Sequence, residues 1–248
     1  MRGAVTATVI TRNEQDNISR CLNSLRWVDD IIVVDSGSTD NTLDICRSFN
    51  CRVFSIEWRG FGLTKQFAVN QAKTSWILSI DADEQVSHDL RQQILKVMNE
   101  PAEFNGYRIQ RVSSYLGSLI RYSGWQNDRP LRLFNRNYGQ FNEKPVHESV
   151  QLHGKSGLLT APLYHYPYPD VYSHIEKMNR YSELGAKELK KKGRKSTPLG
   201  AVLHGAGKFI KMYILKSGFR DGKAGFVLAQ NSAFGVYLKY LKLWRMNQ

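Results

Sequence analysis

The chain has little of what marks several large protein classes. Its three cysteines, Cys21, Cys46 and Cys51, are odd in number and lack metal-type spacing. A disulfide framework and a zinc knuckle are therefore excluded, and free thiols in a reducing compartment are expected. No uninterrupted apolar run is long enough to span a bilayer. The first apolar segment, residues 5–10, is short and gives way to Thr11-Arg12-Asn13-Glu14, so no signal peptide is expected. There is no internal repeat or low-complexity tract. No G-x-G-x-x-G follows the first strand, against a dinucleotide-dependent dehydrogenase. Nor does a glycine- and arginine-rich triphosphate loop follow it, against a nucleotidyltransferase. Acidic residues run short in the last third, where residues 171–248 hold 16 Lys+Arg and 4 Asp+Glu.

What is present suits a sizeable core. The chain has 248 residues, 42% of them hydrophobic and 11% aromatic, enough for one large α/β domain with an extension. The net charge is +13, but residues 1–170 are nearly balanced, with 19 Lys+Arg against 18 Asp+Glu. A cationic module on a neutral domain implies an anionic partner: nucleic acid, anionic lipid or a phosphorylated substrate. Helix-turn-helix, zinc-finger and RNA-binding signatures do not occur, which argues against nucleic acid.

Strand and helix signals alternate through the first hundred residues. Strands are expected at 5–10, 31–34, 51–56 and 76–80. Helices are expected from Asp16 or Asn17 to about 25, at 41–49 behind Asp40, from Thr64 to about 72 after a Gly60-Phe61-Gly62 turn, and from Ser87 to about 99. Repeated βα units predict a mostly parallel sheet with helices on its faces. Residues 106–112 and 131–134 read as further strands, and 164–169 (Tyr-His-Tyr-Pro-Tyr-Pro) as a linker. Helices are expected over 171–192, from Pro198 behind Thr197, and from about Asp221 to the end. Leu199, Val202, Leu203, Ala206, Phe209, Ile210 and Tyr213 recur at helical spacing. The division this suggests is a domain over 1–169, with a ligand-binding half at 1–100 and a second half at 101–169, followed by a basic helical region at 170–248.

Three polar clusters fall at strand ends. Thr11-Arg12-Asn13-Glu14 follows the first strand, Asp35-Ser36-Gly37-Ser38-Thr39-Asp40 the second, and Asp81-Ala82-Asp83-Glu84 ends the fourth. Open α/β sheets bind ligands beyond the carboxyl ends of their strands. Asp81 and Asp83 would repel one another unless a cation joined them, and oxygen ligands favour Mg²⁺ or Mn²⁺. Each cluster alone could be a capped turn.

Together these segments resemble family 2 glycosyltransferases of the GT-A fold. Residues 124–134 (Gly-Trp-Gln-Asn-Asp-Arg-Pro-Leu-Arg-Leu-Phe), Pro145-Val146-His147-Glu148 and 219–226 are similar to the bacterial subgroup of lipopolysaccharide inner-core β-1,4-glucosyltransferases. The resemblance implies a GT-A (Rossmann-like), mostly parallel sheet flanked by helices. It implies an inverting enzyme moving a hexose, glucose from UDP-glucose, to a heptose of the lipopolysaccharide inner core. Thr11, Asn13, Glu14, Asp35 and Ser38 would form the uridine side of the donor site. Asp81, Ala82 and Asp83 would face the diphosphate, with Asp83 and Asp81 at the divalent metal.

Lys65 either adds a donor-side cation or is a solvated helix lysine. Arg129 and Arg132 either meet phosphate or pair with Asp128 or Glu143. The general base is read as Glu148 first, Asp128 second and Glu143 third. His147, His165 and His174 are read as structural hydrogen-bond partners, with metal ligation the other reading for each. The implied partners are a nucleotide-sugar donor, a lipid-linked phosphorylated saccharide acceptor and the anionic surface of an inner membrane, whose cytoplasmic face the enzyme would occupy peripherally. The alternatives are a nucleotide-sugar transferase for a different surface glycan, or a non-enzyme that binds anionic polymers through its basic tail.

Overall fold

A computed structural model describes residues 3–101, 103–142, 148–168 and 170–248. The chain forms two compact units, Met1–Arg111 with Asp128–His165, and Val112–Asn127 with Tyr166–Gln248. Residues 112–127, which the sequence reading places in the first domain, thus group with the helical region.

In the first unit the elements run β1 (Val5–Thr11), α1 (Gln15–Ser24), β2 (Asp30–Asp35), α2 (Thr42–Ser48), β3 (Arg52–Ser55), α3 (Phe61–Asn70), β4 (Trp76–Asp81), β5 (Glu84–Val86), α4 (His88–Asn99) and the start of β6 (Gly106–Tyr115), whose last residues from Val112 belong to the second unit. After the short β7 (Ser118–Leu119) of the second unit come β8 (Leu131–Asn135), β9 (Gly139–Phe141), β10 (Val150–Leu152) and β11 (Ser156–His165). The main sheet has the order β3-β2-β1-β4-β8-β6-β11-β5. Strands β1 to β4 are mutually parallel, β8 runs antiparallel to β4, and β5 antiparallel to β11. β9 and β10 make a separate antiparallel ribbon.

Side chains alternate across each strand, so neighbouring residues enter opposite cores. Val33 and Leu78 join the large cluster with Ile18, Leu22 and Leu90, whereas Ile32 and Ile77 join a second cluster with Ala68 and Phe134. Covering both faces is what buries β1 and β4 almost throughout, the threonines of β1 included. Ser87 caps α4 by accepting from Leu90 N at 3.1 Å. Helix α3 begins at Phe61, three residues before the expected Thr64, because Gly60 takes φ +91° and turns the chain directly into the helix. The segment read as a linker from Tyr164 is strand as far as His165, registered against Glu84 and Gln85.

The second unit holds α5 (Val171–Lys191), α6 (Pro198–Ile210), a π-helical turn Lys211–Leu215, a 3-10 turn Gly218–Asp221 and α7 (Gly222–Met246). Thr197 caps α6 at Gly200 N, 3.0 Å. Its core joins Tyr115 and Ile120 to Met212, Leu228 and Ala229. Asp221 ties the inserted segment down, its carboxylate accepting from Arg121 N, Tyr122 N and Ser123 Oγ at 2.9–3.1 Å.

Candidate functional site

Parallel register sets the strand-end clusters on one rim. Thr11 pairs with Asp35, and Ile10 with Asp81. Beyond β2, the buried Asp35 carboxylate accepts from Gly37 N at 2.9 Å, Ser38 N at 3.0 Å and the Ser38 hydroxyl. Gly37 sits at φ +88° with open space where a Cβ would stand, a conformation that costs any other residue. Asn13 adopts φ +54°, one of the few non-glycine types that tolerate it. Its N donates to Ser38 Oγ at 2.9 Å and its Oδ1 accepts from Thr39 N at 2.8 Å. Glu14 N donates to Thr42 Oγ1 at 2.8 Å. Asp40 accepts from Thr42 N and Oγ1 and from Gln15 N. Slight burial raises its carboxyl, and these bonds outweigh that and lower it. The first two clusters thus interlock into one preorganised loop pair.

At the end of β4 lies a chain of alternating charges. Lys65, 3% exposed on α3, has its Nζ 2.8 Å from Asp81 Oδ1 and 2.8 Å from Glu148 Oε1. Arg132 of β8, 5% exposed, gives Nη2 to Asp81 Oδ2 at 2.5 Å and Glu84 Oε1 at 2.6 Å. Glu84 is fully buried; it also receives Asp81 N at 3.0 Å and Arg111 Nη1 at 3.0 Å. Arg111 continues the chain through Nε to Asp128 Oδ2 at 2.7 Å. Burial alone would raise the Asp81 carboxyl, but Arg132 and Lys65 outweigh it and hold it far below the usual carboxylate range. Burial likewise disfavours the Arg132 cation, and Asp81 and Glu84 more than restore it. A cavity of about 250 Å³ opens here, lined by Lys65, Asp81, Arg108, Arg111, Arg132 and Glu148.

Lys65 is therefore not a solvated helix lysine. Arg132 pairs with Asp81 and Glu84 and not with Asp128, while Arg129 donates to Gln110 Oε1 at 2.9 Å. Ala82, between the two acids, is buried, 4% exposed. Asp83 stands apart from the charge chain, with Oδ2 3.3 Å from His165 Nε2. His165, read from the sequence as a structural partner, meets Asp83, a pairing the sequence does not name: it lies 82 positions from Asp83, in a segment that reads as linker, and β11–β5 pairing brings it there. Glu84, the third acid of the cluster that ends the apolar strand, was named there but given no role of its own. Glu148 and Asp128 sit at the two ends of the charge chain. Glu143, His147 and Pro169 lie outside the described residues. His174 belongs to the second unit, where Tyr115 Oη stands 2.7 Å from its Nδ1 and burial lowers its pKa.

Comparison with known proteins agrees with this architecture. The model for "Glycosyl transferase family 2" matches residues 6–166. The chain is 32% identical over 257 residues to an uncharacterized glycosyltransferase of Rickettsia typhi, covering 96% of this chain and 86% of that protein. It is 29% identical over 248 residues to the lipopolysaccharide core biosynthesis glycosyltransferase LpsC of Rhizobium meliloti, covering 97% of this chain and 92% of LpsC. Among solved structures, S. aureus TarS 1-349 in complex with UDP-GlcNAc superposes with a TM-score of 0.51 at 15% identity, over 99% of this chain and 92% of that TarS 1-349 chain. That likeness speaks for the fold, a mostly parallel GT-A sheet flanked by helices. With a family model over most of its length and relatives along nearly all of it, the chain is a glycosyltransferase and belongs to glycosyl transferase family 2.

Proposed function

We propose that this enzyme transfers a hexose, glucose from UDP-glucose, with inversion onto a heptose of a lipid-linked, phosphorylated lipopolysaccharide inner core. The observation that carries the mechanism is Lys65 Nζ, 2.8 Å from donor-side Asp81 and 2.8 Å from Glu148 in one cavity. A strand-end acid for the donor and a carboxylate for the acceptor are thereby set on two sides of one fixed cation. The choice of acceptor draws on the printed role of the Rhizobium relative and on the subgroup resemblance.

Thr11, Asn13, Glu14, Asp35 and Ser38 form the uridine side, where the interlocked loops present a surface that needs little reordering on binding. Asp83 is the carboxylate that would meet a divalent metal, with His165 Nε2 3.3 Å away; among the described residues no group of three side chains could hold the ion, so the oxygens of the donor diphosphate would have to complete its shell. Such a metal supplies Lewis-acid stabilisation of the departing diphosphate. Asp81, already held by two cations, acts by fixing Lys65 and Arg132, whose charges face the growing negative charge of the leaving group.

Glu148 takes the proton from the acceptor hydroxyl as that oxygen attacks the anomeric carbon and the bond to UDP breaks. One of its oxygens is anchored by Lys65, which fixes the orientation of the carboxylate. Asp128, engaged by Arg111, is the second candidate. A lipid-linked acceptor puts the reaction at the cytoplasmic face of an inner membrane.

The direct test is the thermal shift of the protein with UDP, UDP-glucose, UDP-galactose, UDP-N-acetylglucosamine, ADP-heptose and NAD, each with and without Mn²⁺. Ligands of the native state raise its apparent stability. A Mn²⁺-dependent rise greatest for UDP-glucose is expected. A response to ADP-heptose alone would overturn the donor assignment.

A further inference from the structure

Helix α6 is built inside out. Its small residues Ala201 and Gly205 are buried, and a Cβ on Gly205 would come within 3.1 Å of Tyr237 Cβ and 3.2 Å of the Ala233 carbonyl. The large apolar residues Leu199, Val202, Leu203 and Ile210 are instead 69%, 52%, 63% and 48% exposed. Their spacing of three, four and seven puts them on one helical face, which is turned to solvent. The face continues into Ile214, Leu215 and Phe219, each more than half exposed. On α7 the exposed Phe226 and Phe234 belong to it as well. Phe226 stacks edge-on with Phe209, and Phe234 lines an apolar groove of about 380 Å³ with Val202 and Ile210. Monomeric proteins seldom leave so continuous an apolar surface bare.

Charge identifies what covers it. Residues 189–248 contain thirteen Lys+Arg and a single acid, Asp221. That acid is spent on backbone amides and Ser123 within its own unit. Lys211, Lys216, Arg220 and Lys223 are exposed around the apolar face. No helix among the described residues is long and apolar enough to cross a membrane. A surface with an apolar centre, exposed aromatics and exposed cations on the same elements matches a bilayer with anionic headgroups, lain upon rather than spanned.

We infer that the α6–α7 face, from Leu199 through Phe234, is a membrane-docking surface that inserts its apolar residues into an anionic bilayer. The inference extends the reading of a lipid-linked acceptor, but binding to the bilayer does not require transfer. The experiment is flotation of the full-length protein with phosphatidylcholine vesicles, alone or containing phosphatidylglycerol. Binding to the anionic vesicles and little to the neutral ones is expected.

A variant carrying Leu203→Ser, Ile214→Ser and Leu215→Ser should lose that binding with its circular dichroism spectrum and UDP thermal shift unchanged. Should that variant fold poorly, Lys211→Gln, Lys216→Gln and Lys223→Gln together provide the second arm. At roughly a factor of five per lysine, about a hundredfold of anionic-vesicle affinity should go. Absence of vesicle binding by the unaltered protein would overturn the inference. So would full binding by a folded apolar variant, or a dimer in light scattering that the same substitutions dissociate. A missing UDP response beside intact vesicle binding would remove the transferase mechanism and leave this surface standing.

Discussion

Asp81 shows how far a single position can be read before its partners are known. An acid at the end of an apolar strand is legible in sequence as a ligand-facing group. That it holds Lys65 and Arg132 is not, because those residues lie 16 and 51 positions away and meet it only through α3 and β8. Its depressed pKa makes a stability statement. The unfolded carboxyl, near 3.8, takes a proton at a higher pH than the folded one, so the pairing stabilises the protein above about pH 4. That contribution is lost as pH falls through the folded value. Melting midpoints followed downward from about pH 5 should drop steeply, and Asp81→Asn should flatten the drop; an unchanged slope would contradict the pairing.

At the same scale, Glu148→Gln should keep donor binding and lose about 10²–10⁴-fold in transfer, the usual worth of a general base. If transfer persists there and collapses in Asp128→Asn, the base is Asp128. Asp83→Ala should abolish metal-stimulated turnover, and His165→Ala should weaken the Mn²⁺-dependent UDP shift without altering the melt of the ligand-free protein.

Whole elements were legible where the local signal was self-contained. Ser87 and Thr197 announce their helices by the caps they form, and the β-branched run before Asp35 announces β2. Elements that exist only through distant pairing were not. β5 is three residues long and is held by β11, nearly 80 residues on; among the described residues β9 and β10 pair with each other alone. Helix α6 carried a clear apolar period, but the sequence does not say which side meets α7, and the small residues won that side. Glycine at the α7 contact has the same logic. A Cβ on Gly225 would lie 2.1 Å from the Gly218 carbonyl oxygen, a backbone atom that cannot swing aside. Gly225→Ala should therefore cost about 1–3 kcal/mol by overpacking. A denaturant melt unchanged from that of the parent would show that the turn yields.

At the scale of the whole molecule, the change in charge near residue 170 suggests a cut that the packing does not support. Composition sees a neutral domain followed by a basic tail, and a truncation after Pro169 looks like a clean way to remove the tail. The second unit, however, includes residues 112–127. Tyr115 is fully buried and Ile120 is 2% exposed in a core whose other walls are Met212, Leu228 and Ala229. Asp221 supplies the acceptors for Arg121 N and Tyr122 N. Removing residues 170–248 would strip those walls and leave an apolar insert and two amides without their partners. The truncated chain should melt less cooperatively than the full one and bind a hydrophobic dye before heating. Loss of vesicle binding by it would then report unfolding as much as a missing surface, which is why point substitutions on the exposed face are the sharper probe. A truncated chain with a single sharp transition and no dye binding would show that residues 112–127 fold without the helices, and would restore the cut at 170 as a true domain boundary.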